Sequence, residues 1–352
     1  MKSNINPYIS VIVVAYNRRG FLRDAIESVL NQTLARNEYE VIVSKNFPTE
    51  YDEEWEKRGV RLLSFQGQKY GGRIADALPH CKGDVICFLE DDDMFSPDKL
   101  EKVKSNFIKD DRLGYLAHQV RAVDIKDRVL NPCFKWLTWS FMVDRPRENA
   151  SAVSRFLGVR GFYCRSGASL WFNNSSIAIK KLCLERFVSE LQKINLAFDW
   201  FVFLCGFLCN LKIMYLADAL SVYRIHGANT SLIELGEDGF SEYFNRIWAY
   251  NLRVTKDQEV FVKMLQGTCL EKYQLQQFWY CVLRLLTYQD GFRMQKLRAL
   301  TKYISVSGFS RGLNKGLLFG GLISVLSPNL VRNIAIGNQP TGFNTLKRVF
   351  QI

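Results

Sequence analysis

A short apolar run, residues 84–89, leads directly into four consecutive carboxylates at residues 90–93. The run is too short and too rich in β-branched and aromatic side chains to favour a helix, so it predicts a buried strand. In open α/β sheets, ligands bind outside the carboxyl ends of the strands, which is where these acids lie. Adjacent carboxylates repel one another unless a cation lies between them, and hard divalent cations prefer carboxylate and phosphate oxygens. The pattern favours a cation site over a solvated acidic turn.

The chain before this run alternates strand and helix signals. Apolar runs rich in β-branched residues predict buried strands at residues 9–15, 40–44 and 60–65. Apolar side chains at helical spacing predict a helix from Gly20 to about residue 30, with Asn17 or a neighbour as its cap, and a short helix over residues 72–78. Strands that alternate with helices in this way predict parallel βαβ units with right-handed crossovers.

Composition indicates a folded and reduced protein. The 352 residues are 48% hydrophobic and 23% charged, which is typical of a chain with a sizeable core. This length predicts a main domain with an appended one. Nine cysteines without a CxxC pair, in a chain that opens without a signal-peptide pattern, indicate mostly buried thiols in a cytosolic setting.

Four segments carry a family resemblance. They are residues 9–17; residues 83–93 continuing through Pro97, Lys99 and Leu100; the Asp199-Trp200 pair; and residues 223–231, with the sequence YRIHGANTS. In this order and spacing they resemble glycosyltransferase family 2. The resemblance implies a GT-A α/β fold, with a mostly parallel central sheet flanked by helices, over residues 1–235. It also implies inverting transfer of a hexosyl group from a nucleotide-diphosphate sugar with the help of Mg²⁺ or Mn²⁺.

The resemblance assigns roles to the acidic run. It places the metal-binding acid at Asp92, with Asp93 close by, and it places Asp91 or Glu90 on the ribose of the nucleotide or in the ligand set. It also places His226 near the donor diphosphate or the metal. A cation held by such carboxylates stabilises the negative charge that develops on a leaving nucleoside diphosphate.

The resemblance also marks a nucleotide site before the acidic run. Ala15, Tyr16 and Asn17 match the family's nucleotide-binding turn, where an aromatic ring can stack on the base; a plain strand-to-helix turn is the alternative. Lys69 and Arg73 lie where the family often has a basic residue near the diphosphate. The adjacent glycines 71 and 72 would allow close approach of backbone to phosphate, and a loose turn explains them as well.

Asp199 matches the family's general base. A single inverting displacement needs only one carboxylate to take the proton of the acceptor hydroxyl. The residue before this acid is usually Glu in the family, whereas here it is Phe198. The alternative is a structural acid that caps a helix or interacts with its dipole, because an apolar, helix-like run follows.

The second strand departs from the family pattern. Many members carry an Asp pair after this strand, and one acid of the pair contacts the nucleobase. Here the sequence is Val43-Ser44-Lys45-Asn46. Lys45 could contact a phosphate or a base carbonyl instead, or be an exposed loop lysine, so the identity of the donor stays open.

Aromatic residues are concentrated between residues 113 and 197, in the part of the domain that would face the acceptor. They are Trp136, Trp139, Phe141, Phe162, Tyr163, Trp171 and Phe172. Aromatic rings suit stacking on sugars or on a lipid chain, and packing in the core is the alternative.

The region over residues 236–352 is predicted to be helical and basic. No acid follows Asp290, whereas nine basic residues do: Arg293, Lys296, Arg298, Lys302, Arg311, Lys315, Arg332, Lys347 and Arg348. The apolar run at residues 316–326 is shorter than the roughly 20 residues that span a bilayer. It predicts either one face buried in a membrane or packing on the protein's own core. With the basic residues, it predicts peripheral attachment to an anionic membrane surface on the cytoplasmic face.

These observations lead to one hypothesis and two alternatives. The hypothesis is an inverting glycosyltransferase that uses a nucleotide-diphosphate sugar and a glycan or polyprenyl-phosphate-linked acceptor. The alternatives are a nucleotidyltransferase acting on sugar phosphates and a noncatalytic carbohydrate-binding relative. Nucleic acid is not expected as a partner, because the apolar run in the basic tail is poorly suited to phosphate contacts.

Overall fold

The computed structural model describes residues 7–67, 69–130, 140–148, 173–227, 239–287, 292–307, 321–322 and 324–325. The chain divides into two compact units, one of residues 1–157 and 164–226, the other of residues 158–163 and 227–352. The predicted boundary between a domain over residues 1–235 and a region over residues 236–352 stays a prediction.

The first part of the first unit is a parallel sheet with helical connections. Its elements are β1 (Ile9–Ala15), α1 (Leu22–Leu30), β2 (Tyr39–Lys45), α2 (Asp52–Lys57), β3 (Val60–Ser64), α3 (Tyr70–Ala77) and β4 (Val85–Glu90). The strands pair in parallel in the order β3-β2-β1-β4. The predicted strands, helices and parallel pairing are confirmed, and α2 is an addition that the hydrophobic pattern did not predict.

A close backbone contact sets β4 beside β1. All of β1 and the first five residues of β4 are buried, as expected of strands inside a parallel sheet. The N–H of Gly83 donates to the Ser10 hydroxyl at 2.9 Å. A Cβ at Gly83 would lie 2.6 Å from the backbone nitrogen of Ser10, so only glycine fits here. This contact helps to set the register of β4 against β1, and therefore the position in the sheet at which β4 ends and the acids begin.

The predicted helix cap at Asn17 is wrong. The N-cap of α1 is Phe21, and it makes no side-chain capping hydrogen bond. Asn17 has a positive φ of 58°. Its backbone N–H donates to Asn46 Oδ1 at 3.0 Å, and Asn46 Nδ2 donates to Asn17 Oδ1 at 2.7 Å. Asn17 therefore joins the ends of β1 and β2 instead of starting α1.

The rest of the first unit extends the sheet with mixed pairing. Its elements are β5 (Met94–Phe95), α4 (Lys99–Lys109), β6 (Leu113–Val123), β7 (Phe141–Val143), β8 (Ile177–Lys180), α5 (Lys181–Glu185), α6 (Val188–Leu191), α7 (Phe198–Leu208) and β9 (Lys212–Arg224). The sheet continues in the order β4-β8-β6-β9-β5, with β7 also on β9. In this part only β6 and β9 are parallel, and the other pairs are antiparallel. Within the described residues the parallel character is thus concentrated in the first four strands.

Helix α7 is a core helix with a single acid. Every residue of α7 except Asp199 is buried, because the helix is apolar on all sides. The Phe198 ring packs edge-on against Phe88, with centroids 4.9 Å apart, and lies 5.0 Å from the Tyr70 ring. These contacts fix the start of α7 against β4 and α3.

The described residues of the second unit are mainly helical, as predicted. Its helices are α8 (Gly239–Met264), α9 (Glu271–Thr287) and α10 (Arg293–Ser307). Leu283 of α9 packs with Ala299, Leu300 and Tyr303 of α10 in a small apolar core. Of the helices that the structure describes, none is both long enough and apolar enough to cross a bilayer.

The structure describes only part of the basic tail. Arg293, Lys296, Arg298 and Lys302 belong to α10. Lys296 is fully buried, and its Nζ donates to the carbonyl oxygen of Ser324 at 3.0 Å, so it is not part of a basic surface. The other five basic residues of the tail, and most of the apolar run at residues 316–326, lie outside the described residues.

Candidate active site

The carboxylates after β4 converge in the protein interior. Asp91, Asp92 and Asp93 are 3%, 2% and 1% exposed, and Glu90 is partly buried. One oxygen each from Glu90, Asp92 and Asp93 lies within 4.8 Å of the others. Among the described residues this is the group of acids, histidines or cysteines that could hold a cation. Asp91 lies outside this group and contacts Arg18 instead.

Two asparagines hold Glu90 and Asp93, two of the three acids of this group. Asn173 Nδ2 donates to Asp93 Oδ2 at 2.9 Å, and Asn174 Nδ2 donates to Glu90 Oε1 at 2.5 Å. The backbone N–H of Arg224, the last residue of β9, donates to Asp93 Oδ1 at 3.1 Å. Asn173 caps the 3₁₀ turn Asn174–Ser176 that precedes β8. The sequence analysis missed both asparagines, because turn chemistry before an apolar strand predicts the turn and not the partner of its side chains.

Burial and mutual repulsion favour the protonated forms of Glu90, Asp91 and Asp93. Burial, and then the neighbouring charges of Asp92 and Asp93, raise the pKa of Glu90 well above its usual range. Burial, and then the charge of Asp92, raise the pKa of Asp93 to about 7. Burial also raises the pKa of Asp91 to about 6, although the Arg18 guanidinium opposes the shift. Glu90 and Asp93, two of the three acids whose oxygens converge, therefore favour the protonated form, and three converging carboxylate oxygens fit a hard divalent cation.

His226 and Arg18 both contact Asp92. His226 Nε2 lies 3.0 Å from Asp92 Oδ2, and the imidazole packs 5.2 Å from the Phe21 ring. Arg18 Nη1 lies 2.7 Å from the same Oδ2 atom. His226 therefore lies beside the carboxylate group, as a hydrogen-bonding neighbour of Asp92 and not as a fourth member. Arg18 was missed by the sequence analysis, because a basic residue in a turn gives no signal of its partner across the sheet.

The predicted nucleotide turn lies at the ends of β1 and α3. Ala15 is buried at the end of β1, and the Arg73 guanidinium lies 3.8 Å from the centroid of the Tyr16 ring. Arg73 is 6% exposed, and burial lowers its pKa. Lys69 is exposed at the N-cap position of α3. The structure therefore brings Arg73 and Tyr16 together and leaves Lys69 at the surface.

Two expectations for this neighbourhood are corrected. Lys45 is neither an exposed loop lysine nor open to a phosphate or a base: it is 5% exposed, and its Nζ donates to Asp52 Oδ2 at 2.6 Å and to the Phe47 carbonyl at 2.7 Å. Gly71 is required by packing, since a Cβ there would lie 2.0 Å from the Leu191 carbonyl oxygen. A loose turn does not describe it.

Asp199 lies in the first turn of α7, and the N-cap residue is Ala197. Asp199 Oδ1 accepts from the N–H of Trp200 at 2.7 Å. Asp199 is therefore not the N-cap, although it lies near the positive end of the helix dipole. The ring of its neighbour Phe198 packs against the ring of Tyr70, which lies within the electrostatic influence of the acidic group. Burial, followed by the charges of Glu90 and Asp91, raises the pKa of Tyr70 well above its usual value.

The Tyr70 hydroxyl is buried, and among the described residues it has no hydrogen-bond partner. A buried polar group without a partner is unusual and is often satisfied by a ligand or an ion. The sequence analysis did not single out Tyr70. The aromatic residues predicted to face an acceptor lie outside the described residues, apart from Phe141, which begins β7.

Sequence comparison identifies relatives of this chain. The model of the glycosyl transferase family 2 matches residues 10–151. An uncharacterized glycosyltransferase of Nostoc sp. is 25% identical over 233 residues, which cover 64% of this chain and 66% of the relative. A Bacillus subtilis glycosyltransferase named for teichuronic acid biosynthesis, TuaG, is 31% identical over 107 residues, which cover 28% of this chain and 42% of that protein. The chain thus spans about two thirds or less of the length of these relatives.

A solved structure shares the fold. The crystal structure of Staphylococcus aureus TarS residues 1–349 in complex with UDP superposes with a TM-score of 0.59 and 14% identity, covering 94% of this chain and 92% of that chain. At this identity the likeness shows the fold alone, and it confirms the predicted GT-A α/β fold with a carboxyl-terminal helical region. Residues 10–151 of this chain therefore match a domain of glycosyltransferase family 2.

Proposed function

We propose that this family 2 glycosyltransferase moves a sugar from a nucleotide-diphosphate donor to a hydroxyl of a glycan or lipid-linked acceptor, with inversion at the anomeric carbon. The observation that carries the proposal is the group of three buried carboxylates at the carboxyl end of β4. Ligands of open α/β sheets bind at this edge. The expectation of a nucleotidyltransferase loses its support, because the family match is to glycosyltransferases.

Glu90, Asp92 and Asp93 would hold the divalent cation, Mg²⁺ or Mn²⁺. Bound there, the cation would stabilise the negative charge that develops on the leaving diphosphate. Asn173 and the Arg224 N–H hold Asp93 in place, so that one side of the ligand set is preorganised. His226, whose Nε2 lies 3.0 Å from Asp92 Oδ2, would help to orient Asp92.

Asp199 would act as the base. In a single displacement, the acceptor oxygen bonds to the anomeric carbon while the bond from that carbon to the diphosphate oxygen breaks and its electron pair stays on the diphosphate. The acceptor proton passes to the Asp199 carboxylate. Support comes from the composition of α7, in which Asp199 is the one residue that is not buried.

The nucleobase is proposed to lie near Tyr16 and the Asn17–Asn46 pair. Lys45 is held by Asp52, so the side-chain amides of Asn17 and Asn46 would offer polar contacts to a base in its place. TarS has been crystallised with UDP and with UDP-GlcNAc. Uridine diphosphate sugars are therefore the first donors to test, followed by other nucleotide sugars.

The proposals of a lipid-linked acceptor and of a location on the cytoplasmic face of a membrane both rest on the basic tail. Five of its basic residues lie outside the described residues: Arg311, Lys315, Arg332, Lys347 and Arg348. We propose that they attract an anionic lipid surface on the cytoplasmic face, at about 1 kcal/mol for each residue near the surface. Flotation with anionic liposomes tests this: the full chain should float, and a variant with these five residues changed to Gln should not. Equal behaviour of the two proteins contradicts the membrane proposal.

One assay tests the proposed reaction. Purified protein is incubated with a panel of nucleotide sugars and acceptors, in Mg²⁺, Mn²⁺ or excess chelator, and both nucleoside diphosphate and glycosylated product are measured. The proposal predicts equal amounts of the two products, dependent on the metal. Binding of donors without turnover of any of them would favour the noncatalytic relative.

A further inference from the structure

Arg18 places a positive charge on two of the four acids. It lies in the turn after β1, and its guanidinium contacts the carboxylates of Asp91 and Asp92, with Nη1 2.7 Å from Asp92 Oδ2. Both acids have side chains only 3% exposed, whereas the Arg18 side chain is 31% exposed. The contact is therefore between a fixed, buried pair of acids and a long side chain that reaches them from the surface.

This contact overlaps the proposed cation site. Asp92 is one of the three acids whose oxygens converge, and Arg18 Nη1 lies 2.7 Å from its Oδ2 atom. A guanidinium carries its charge at every accessible pH, so it cannot step aside by losing a proton. A divalent cation on Asp92 would meet this charge at close range, where two positive charges repel each other strongly because little water screens them.

The other acids of the site are held differently. Asp93 is fixed by Asn173 and by the backbone of Arg224, and Glu90 is fixed by Asn174. These partners are neutral donors, which do not repel a cation. The site thus has a preset part, Glu90 and Asp93, and a part that a cation must share with Arg18.

We infer that Arg18 is an internal cation that neutralises Asp91 and Asp92 while no metal is bound, and that it leaves Asp92 when a metal and a nucleotide bind together. The inference rests on the proposed function. An incoming diphosphate offers the guanidinium new oxygen acceptors, and bidentate contacts between arginine and phosphate are strong. Metal alone must displace Arg18 without that compensation. Nucleotide and metal should therefore bind with positive coupling.

The test measures binding of Mn²⁺ to the full chain, by electron paramagnetic resonance of the free ion, without and with UDP. Arg18→Ala should bind Mn²⁺ alone at least about tenfold more tightly than wild type, because the competing charge is gone. The gain in Mn²⁺ affinity on adding UDP should be smaller in Arg18→Ala than in wild type. Arg18→Lys, which keeps the charge, should behave like wild type.

Arg19→Ala is the matched control. Arg19 is the next residue, it is exposed, and its guanidinium lies over the Phe47 ring at 5.1 Å and not on the acids. It loses the same charge, so its Mn²⁺ affinity should stay within about twofold of wild type. If Arg18→Ala does not fold, Arg18→Gln replaces it, with thermal unfolding as the check.

Two outcomes overturn the inference and separate it from the proposed function. If Arg18→Ala binds Mn²⁺ as weakly as wild type or more weakly, while wild type binds with UDP, then Arg18 positions the acids and does not compete with the metal. The metal site then stands and the inference fails. If neither wild type nor variant binds Mn²⁺ with or without UDP, the metal assignment fails and the inference fails with it.

Discussion

Removing one oxygen from Tyr70 should stabilise the empty protein. The Tyr70 hydroxyl is buried, and among the described residues it has no hydrogen-bond partner. Tyr70→Phe deletes this oxygen and keeps the ring, whose centroid lies 5.0 Å from that of Phe198. The substitution therefore removes a polar group that lost its hydration on folding, with little change in packing.

The size of the effect follows from the cost of an unpaired polar group. Leaving a buried hydroxyl unpaired costs about 1–3 kcal/mol. The free energy of unfolding of Tyr70→Phe should thus rise by about 1 kcal/mol or more. If the hydroxyl donates to a bound donor, the variant loses one hydrogen bond in the complex, and the Kd of the donor should rise by roughly fivefold to tenfold. The same substitution would then increase stability and weaken binding.

Tyr39→Phe is the matched control. The Tyr39 hydroxyl is buried and donates to the Val29 carbonyl at 2.9 Å, so its loss should lower the free energy of unfolding by about 1 kcal/mol. Urea denaturation of both variants gives the signs, and titration with UDP gives the binding effect. A loss of stability in Tyr70→Phe, similar to that in Tyr39→Phe, would refute the reasoning and show that the Tyr70 hydroxyl is satisfied within the protein.

Three further predictions concern groups in the first unit. Asp199→Asn should lower sugar transfer by roughly 10²–10⁴-fold with donor Kd and thermal stability unchanged; a fall in stability with activity proportional to folded protein would make Asp199 structural. The pKa of Asp93 is raised from 3.8 to about 7, so the folded protein without metal holds this proton more tightly than the unfolded chain does. As pH rises from about 4 to about 7, the free energy of unfolding of wild type should therefore fall relative to that of Asp93→Asn, and saturating Mn²⁺ should remove the fall. Urea denaturation at several pH values measures this difference, and no trend with pH would contradict the prediction. The Cys183 thiol, together with Arg186, lowers the pKa of Cys209 to about 7. Iodoacetamide near neutral pH should therefore alkylate Cys209 faster than the exposed Cys269. Mass spectrometry of the peptides measures the order, and faster alkylation of Cys269 would contradict the prediction.

The sequence was sufficient for the parallel part of the sheet. β1 and β4 are continuous apolar runs, and such runs are typical of strands buried on both faces. The position of the acids after β4 follows from the same pattern. The sequence could not predict the mixed pairing of β5 to β9, because register and direction depend on contacts between distant segments.

The same difference between local sequence patterns and contacts of distant segments applies to the candidate active site. The predicted acids and His226 meet because they follow strand ends, which sequence patterns mark. Asn173, Arg18 and Tyr70 were missed since their roles depend on which side chain lies opposite them in the fold. Lys45 was misjudged for the same reason: its pairing with Asp52 places it in the interior.

The central claim is that a divalent cation held by the acids after β4 drives sugar transfer. The most direct measurement compares transfer from a nucleotide sugar by wild type, Asp92→Asn and Asp76→Asn, with Mn²⁺ and with excess chelator; Asp76 is an exposed acid on α3 that serves as the control. The account predicts that Asp92→Asn abolishes transfer while keeping the thermal stability of a folded protein, and that chelator does the same to wild type and to Asp76→Asn. Full transfer by Asp92→Asn, or by wild type in excess chelator, would contradict it.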